Sequence, residues 1–282
     1  MMQRQGRPIA THSANVSRWG EILTVTSGKG GVGKTNLALN LGIQLSRQGR
    51  RVILVDADFG FANADILMNI TPLGDVTDLL DESRSVDSLL VDGPDGLRVL
   101  CGVSGLSRDG APGDLDPRRF AGGLRRLLPA CDTLIIDCGA GVNPLIESAI
   151  EAGDLTILVT TPEPTALADA YATLKVLHRR GVLGRVGTVV NMVRSEREAE
   201  DAMSRLQGVA KHFLGLDVEA LGMIPHDPHV ISAVQDRVPV TVRYPRCVAS
   251  AYIDVISKHF LPRVAQPVRA SGLLSRVASL FV

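Results

Sequence analysis

Short apolar runs and longer amphipathic segments alternate along most of this chain. The apolar runs are rich in β-branched residues and predict strands at residues 22–26, 51–56, 97–100, 133–137, 155–160, 186–191 and 218–222. The amphipathic segments predict helices at residues 35–48, 117–128, 143–152, 165–180, 196–213, 229–235 and 246–260. Such alternation is typical of βαβ units. We therefore predict an α/β fold, with a doubly wound, mostly parallel sheet covered by helices on both faces.

Both ends of the chain depart from this alternation. Residues 1–19 are polar and aperiodic, which predicts a disordered tail. The predicted domain covers residues 20–262, because Pro262 ends its last helix. Residues 263–271 then predict a linker, and residues 272–282 predict a separate short helix.

A glycine-rich loop follows the first predicted strand and opens the first predicted helix. It reads Gly28-Lys-Gly-Gly-Val-Gly-Lys-Thr35 and satisfies the pattern G-x-x-x-x-G-K-[ST] in that context. In such loops the backbone N–H groups surround the phosphates of a nucleotide, and the helix N-terminus adds a positive field. We expect Lys34 to contact the β- and γ-phosphates of ATP, and the Thr35 hydroxyl to coordinate Mg²⁺. The predicted ATP-binding residues of this segment are Gly28, Lys29, Gly30, Gly31, Val32, Gly33, Lys34, Thr35 and Asn36.

Carboxylates follow two predicted strands, at the sheet edge where doubly wound folds bind their ligands. Asp56 and Asp58 come at the end of the second strand, and Asp137 ends the apolar run of residues 133–137. Asp137 has the position of a Walker B acid, so we expect it to hold Mg²⁺ through a water molecule. The alternating pair at 56 and 58 also fits plain strand-end and helix-capping residues.

The loop at residues 27–36 resembles the deviant Walker A loop of the MinD/ParA ATPases, because it carries an early second lysine, Lys29. The resemblance extends over residues 22–260. It implies that Lys29 reaches across a nucleotide-sandwich dimer to the ATP of the partner, and that Lys29, Lys34 and Asp58 are catalytic. Asp58 would orient the attacking water, and Asp56 would lie beside the water shell of the metal. The implied metal-binding set is Thr35, Asp56 and Asp137.

Two late segments are predicted to recognise the base. Asn191 stands at a strand end with an amide that can both donate to and accept from an adenine edge. The loop that contains Pro225, His226 and Asp227 resembles the second adenine-side loop of the family. His226 and His229 lack an evident third metal ligand, so we predict that both are solvated.

Four cysteines, at positions 101, 131, 138 and 247, include no C-x-x-C pair. This spacing indicates neither a disulfide framework nor a zinc site, and we predict buried, reduced thiols. An iron–sulfur cluster like that of the reductases on the same scaffold is the alternative for Cys101 and Cys138. Neither cysteine lies in a segment that matches those reductases.

The last predicted helix is amphipathic. At about 100° per residue its apolar residues share an arc of roughly 120°, and they are Leu273, Leu274, Val277, Leu280 and Phe281. Such a helix fits a lipid interface, its own domain or a protein partner. MinD-type proteins end in a similar membrane-targeting helix, which favours the membrane. We expect a cytoplasmic protein that is peripheral at the inner face of the cell membrane when ATP-bound.

Charge and hydropathy narrow the choice of partners. Thirty basic and thirty acidic residues give a formal net charge of zero, which makes nucleic acid an unlikely ligand. No apolar stretch approaches the roughly 18 residues that a bilayer-spanning helix needs. The partners we expect are a second copy of the chain in ATP, the inner membrane surface, and a flagellar or other placement protein.

Three functions stay open on the sequence. Residues 56–67, 161–171 and 190–193 look most like the flagellar number regulators of the family. They favour an ATP-hydrolysing, dimerising switch that cycles between cytosol and membrane and controls the number or placement of an assembly. A MinD-like division-site or ParA-like cargo-partitioning ATPase is the first alternative. A metabolic enzyme on the same scaffold, an amidoligase or a reductase, is the second.

Overall fold

The computed structural model describes residues 21–59, 62–103 and 115–261. The predicted tail at residues 1–19, the linker at 263–271 and the membrane-targeting helix at 272–282 lie outside the described residues. Within the described chain, no helix combines the length and the apolar character that crossing a bilayer requires.

A single mostly parallel sheet forms the centre of the described chain. Its strands are β1 (Glu21–Ser27), β2 (Val52–Ala57), β3 (Val91–Asp92), β4 (Arg98–Leu100), β5 (Thr133–Ala140), β6 (Leu155–Thr160), β7 (Arg185–Val193) and β8 (Val218–Pro225). The strand order is β3-β4-β2-β5-β1-β6-β7-β8. Every neighbouring pair is parallel except β3 and β4, which are antiparallel. The predicted doubly wound sheet is therefore confirmed.

Helices connect the strands. They are α1 (Lys34–Arg47), α2 (Ala64–Met68), α3 (Pro117–Arg125), α4 (Pro144–Ala152), α5 (Pro164–Arg179), α6 (Glu196–Leu214), α7 (Pro228–Gln235), α8 (Val240–Arg243) and α9 (Val248–Ser257). Short 3₁₀ turns lie at Val76–Leu80, Val86–Ser88, Pro94–Gly96, Leu128–Ala130 and Lys258–Phe260. Three of the helices begin with a capping Asp or Asn followed by proline, the start signal that the sequence carries before α3, α4 and α7.

The central strands bury side chains on both faces. In β5, Ile135 packs in the apolar cluster that contains α1 and α9. Its neighbours Leu134 and Ile136 pack in the opposite cluster, which contains α3 and α4. Because both faces are covered, the strand is a continuous apolar run, as predicted.

Some element bounds differ from the prediction. The strand that carries Asp137 continues to Ala140, and β8 continues to Pro225, which pairs with Val193. Pro225 therefore lies at a strand end rather than in a loop. α3 ends at Arg125 and α9 covers only Val248–Ser257 before a 3₁₀ turn. The elements that the sequence missed, α2, β3 and α8, are too short to produce a periodic pattern.

Candidate nucleotide-binding site

The glycine-rich loop connects β1 to α1 at the carboxyl edge of the sheet. α1 begins at Lys34, and its N-cap Gly33 is left-handed with φ 88°. A Cβ on Gly33 would also lie 2.3 Å from Nδ2 of Asn191, and one on Gly28 would lie 2.3 Å from the backbone of Asp169. Glycine is therefore required at these two positions by the backbone conformation or by close packing. The loop has the strand–loop–helix context that phosphate binding needs.

Lys34 lies between two acids. Its Nζ is 3.6 Å from Oδ2 of Asp58 and 3.7 Å from Oδ1 of Asp137. The side chain of Lys34 is 9% exposed and that of Asp137 is fully buried. Asp137 lies in β5, and Asp58 lies in the turn after β2. These two strands are neighbours in the sheet, and Asp56 of β2 lies opposite Asp137. The structure thus brings together the lysine and both strand-end carboxylates, as the sheet-edge argument predicted.

Asp137 has acceptor capacity that the described chain does not use. Both carboxylate oxygens are buried and neither has a donor at full hydrogen-bond geometry, although the Thr35 hydroxyl lies close enough to lower the pKa of Asp137. Burial raises the pKa of Asp137 to about 7, although the Lys34 ammonium opposes the shift. Buried acceptors without partners are costly, and a hydrated Mg²⁺ is the kind of group that would satisfy them. Asp137 therefore fits the metal-binding role predicted for it.

We expect Asp137→Asn to stabilise the nucleotide-free protein in a pH-dependent way. The folded pKa of about 7 lies above the ordinary value of 3.8. The ionised carboxylate therefore costs folding free energy that is absent in acid and grows as the pH rises towards 7. At ~1.4 kcal/mol per pKa unit, the variant gains no more than about 4 kcal/mol at about pH 8. Thermal unfolding from about pH 4 to pH 8 measures the difference, and a difference independent of pH would contradict the expectation.

Asp56 has a different environment from Asp58. Its carboxylate accepts hydrogen bonds from the backbone N–H groups of Asp58, Asn63 and Ala64, at 3.1, 2.9 and 3.0 Å. Burial raises the pKa of Asp56, and these hydrogen bonds oppose the shift. Asp56 therefore fixes the turn after β2 and the start of α2, which is the capping role that the sequence left open. Its place beside the metal stays a prediction.

Gly139 was not singled out as a partner of Asp58. A Cβ at position 139 would lie 3.1 Å from Oδ1 of Asp58. A larger residue at position 139 would therefore require the Asp58 side chain to move by a few tenths of an ångström. The sequence signal was only a glycine following a strand-end acid.

Lys29 lies at the rim of the loop. Its Nζ donates to Oε2 of Glu163 at 2.9 Å and to Oγ1 of Thr165 at 3.3 Å. The side chains of Lys29 and Glu163 are 40% and 64% exposed, and exposed ion pairs contribute about 0–1 kcal/mol. Little free energy therefore holds Lys29 to α5. Its action on a partner's nucleotide stays a prediction.

The side chain of Asn191 is hydrogen-bonded to the glycine-rich loop. Its Nδ2 donates to the carbonyl of Val32 at 2.8 Å, and its Oδ1 accepts from the N–H of Met192 at 2.9 Å. Both ends of the amide are thus engaged within the chain. Recognition of an adenine edge by Asn191 stays a prediction, and the contact with Val32 gives the residue a structural role that the sequence did not indicate.

The residues of the predicted second adenine loop have unequal environments. The side chain of His226 is exposed, whereas that of Asp227 is buried. Asp227 caps α7 by accepting the N–H of His229, and it also accepts the N–H of Ala249, both at 3.0 Å. Burial raises the pKa of Asp227, but hydrogen bonds from Ala249, His229 and Cys247 outweigh it and hold the pKa below its usual range. Contact of this loop with adenine stays a prediction.

One open cleft of about 1130 Å³ is lined by the glycine-rich loop, Asp58 and α7, and its described lining does not include Lys29, Asp56, Asp137 or Asn191. Its lining includes loop residues that offer backbone N–H groups or polar side chains, together with one acid; they are Gly30, Gly31, Gly33, Lys34, Thr35, Asn36 and Asp58. Its apolar residues include Ile66, Met192, Val230, Ile231 and Val234. Pro225, His226 and Asp227 are not among the lining residues in the described chain. The cleft offers the Lys34 ammonium and the loop N–H groups for phosphates and an apolar wall for a base.

Three of the four cysteines are buried thiols, as predicted. They are Cys101, Cys131 and Cys138, whereas Cys247 is partly exposed. Burial raises the pKa of Cys101 to about 12 and that of Cys131 to about 11. Such thiols are unreactive and are poor metal ligands.

The sequence of this chain is similar to those of known proteins. Residues 23–240 match the family model described as the CobQ/CobB/MinD/ParA nucleotide binding domain. The chain is 34% identical over 241 residues to the antiactivator FleN of Pseudomonas aeruginosa, covering 84% of this chain and 85% of FleN. It is 30% identical over 241 residues to the flagellum site-determining protein YlxH of Helicobacter pylori, covering 84% of this chain and 80% of YlxH.

A solved structure agrees with these matches. The septum site-determining protein MinD of Pyrococcus horikoshii OT3, complexed with Mg-ADP, superposes with a TM-score of 0.72 at 26% identity. The superposition covers 86% of this chain and 96% of that one. The family model covers more than half of the chain, which confirms the predicted nucleotide cofactor. This chain therefore belongs to the MinD/ParA family of nucleotide-binding proteins.

Proposed function

We propose that this protein hydrolyses ATP and uses it to switch between a monomer and a dimer. The observation that carries the proposal is Lys29, an exposed lysine at the rim of a complete phosphate loop, which in the described part of the chain bonds to Glu163 and Thr165 alone. A lysine side chain in this place can leave its ion pair with Glu163 and reach the phosphates that are bound to a second copy of the chain. There it would act like an arginine finger supplied by a neighbour.

Residues of the chain that binds the nucleotide have the other roles in the proposed reaction. Lys34 neutralises the phosphates, and the loop N–H groups fix their position. Asp58, which lines the cleft 3.6 Å from Lys34, orients the attacking water. Thr35 and the buried Asp137 would hold Mg²⁺, which supplies charge neutralisation of the phosphate oxygens when bound.

The names of the relatives favour a flagellar role. FleN is an antiactivator, and YlxH is a flagellum site-determining protein. We propose that the switch controls the number or placement of a flagellum through a partner protein. A division-site role like that of MinD remains the second candidate, because the similarity to a solved MinD covers nearly all of that structure.

Membrane cycling is the second half of the proposal. The apolar arc of residues 272–282 binds an anionic bilayer weakly as a single copy, because it offers only five apolar side chains. Two copies in one ATP-bound dimer bind more tightly through avidity. ATP therefore recruits the protein to the membrane, and hydrolysis releases it.

Replacing Lys29 by alanine tests both halves. We expect Lys29→Ala to bind ATP as a monomer, to lose on the order of 10³-fold in turnover, and to stop pelleting with anionic liposomes in ATP. Light scattering, phosphate release and liposome sedimentation measure the three effects. Lys175→Ala, an exposed lysine on α5, is the matched control. Parental turnover in Lys29→Ala would refute the trans role, and equal pelleting of the parent in ATP and ADP would refute membrane cycling.

A further inference from the structure

Three metal-ligating side chains of different chemistry meet outside the phosphate-binding residues. They are Asp227, His229 and Cys247, and one ligand atom from each lies within 4.8 Å of the other two. Asp227 and His229 belong to the start of α7, and Cys247 is the N-cap of α9. The sequence analysis considered His226 together with His229. The cluster contains only His229, and its third member, Cys247, comes from a later part of the chain.

Hydrogen bonds of the chain hold these side chains in place. One carboxylate joins the two helix starts, because Asp227 accepts the N–H of His229 through Oδ1 and that of Ala249 through Oδ2. The imidazole of His229 lies 2.7 Å from Asp227 through Nδ1, so His229 is not simply solvated as predicted. Its ring also packs on Tyr244, with ring centroids 4.8 Å apart. The chain therefore holds the Asp227 carboxylate and the His229 ring close together, and an ion would bind in place of the contact between them.

The cluster of three side chains is partly open to solvent. The Asp227 side chain is 5% exposed, whereas that of His229 is 53% exposed. Cys247 is partly exposed, and its Sγ lies 3.3 Å from the hydroxyl of Ser250. Solvent can thus reach the cluster and complete a tetrahedral set of ligands.

We propose that Asp227, His229 and Cys247 bind a divalent metal ion of the zinc class, with water as the fourth ligand. A thiolate, an imidazole and a carboxylate together favour Zn²⁺ or Co²⁺ over Mg²⁺, which prefers oxygen ligands. On binding, the thiol of Cys247 gives up its hydrogen bond to Asp227 and releases its proton to solvent. The imidazole of His229 gives up its contact with Asp227 and binds as a neutral ring, with its proton on the nitrogen that does not face the ion. The site is chemically distinct from the Mg²⁺ site proposed at Asp137.

The position of the cluster gives the ion a structural effect. α7 carries Val230, Ile231 and Val234, which form the apolar wall of the nucleotide cleft. An ion held by the start of α7 and by Cys247, the N-cap of α9, fixes that wall to α9. The site is independent of ATP hydrolysis and dimerisation, so it stands even if the proposed switch does not.

Cobalt titration of the full chain tests the site. The protein is stripped of metal with a chelator and titrated with Co²⁺ without nucleotide or Mg²⁺. We expect the near-ultraviolet band of a cobalt–thiolate bond and visible bands of tetrahedral cobalt, both lost on adding Zn²⁺. Cys247→Ser should remove the near-ultraviolet band, and His229→Ala should weaken Co²⁺ binding by about tenfold or more. His259→Ala, an exposed histidine after α9, should match the parent.

The variants keep a folding defect apart from a binding defect. Serine is nearly isosteric with cysteine, and the half-exposed ring of His229 can be removed at small cost to the core. Thermal unfolding without metal shows whether each variant folds, and added Zn²⁺ should raise the melting temperature of the parent and of His259→Ala more than that of Cys247→Ser or His229→Ala. Absence of the thiolate band in the folded parent, or the same band in Cys247→Ser, would mean that the cluster is only a helix-capping network and would overturn the proposal.

Discussion

Lys34→Ala is expected to weaken ATP binding by on the order of 10²-fold or more, because it removes the one buried cation that faces the phosphates in the described site. The side chain is 9% exposed, so little water can replace its charge. Titration with a fluorescent ATP analogue, or calorimetry, measures the loss.

An exposed lysine provides the control for that variant. Lys211 pairs with Asp217 on the surface at 2.7 Å, so Lys211→Ala also removes a lysine from a carboxylate without touching the cleft. Its ATP affinity should equal that of the parent. Thermal unfolding of both variants shows whether loss of the cation beside Asp58 and Asp137 has damaged the fold. ATP affinity at the parental value in a folded Lys34→Ala protein would refute the assignment of the loop.

Asp58→Ala is expected to bind ATP, to lose turnover by about 10²–10⁴-fold, and to accumulate as a dimer. Asp58 faces the cleft near Lys34, whereas its neighbour Asp56 is bonded to three backbone N–H groups. The substitution should therefore remove the group that orients water while leaving the turn after β2 intact. Phosphate release and light scattering in ATP and Mg²⁺ measure the two effects.

Asp201→Ala is the matched control, since Asp201 is an exposed acid on α6. It should hydrolyse ATP at the parental rate and return to monomer as ATP is consumed. A monomeric Asp58→Ala protein at saturating ATP would contradict the proposed cycle.

The sheet and the acids at its edge could be predicted because both follow from local pattern. The apolar run before Asp137 is buried on both faces and could only be a central strand. Parallel strands then bring their carboxyl ends to one edge. The division of roles between Asp56 and Asp58 could not be predicted, because it depends on where the chain places the N–H groups of Asn63 and Ala64.

Contacts between distant residues were beyond the sequence pattern. Lys29 follows β1 and pairs with Glu163, which follows β6 and is far from Lys29 in the sequence. The amide of Asn191 has an accepting carbonyl at Val32, although a strand-end asparagine gives no sign of such a partner. Cys247 lies near His229 where Asp227 accepts the N–H of Ala249 in the first turn of α9. Each of these contacts is fixed by tertiary packing, which a propensity or a motif does not encode.

The pairing of Lys29 with Glu163 has a consequence for salt. If Lys29 moves to the phosphates of a second copy, dimerisation exchanges one exposed anionic partner for another. Added salt screens both the contact that is lost and the contact that forms. The dimerisation equilibrium should therefore depend less on ionic strength than an association that creates a wholly new charge contact. Dimerisation of Glu163→Ala, whose monomer lacks this ion pair, should depend more strongly on ionic strength than that of the parent.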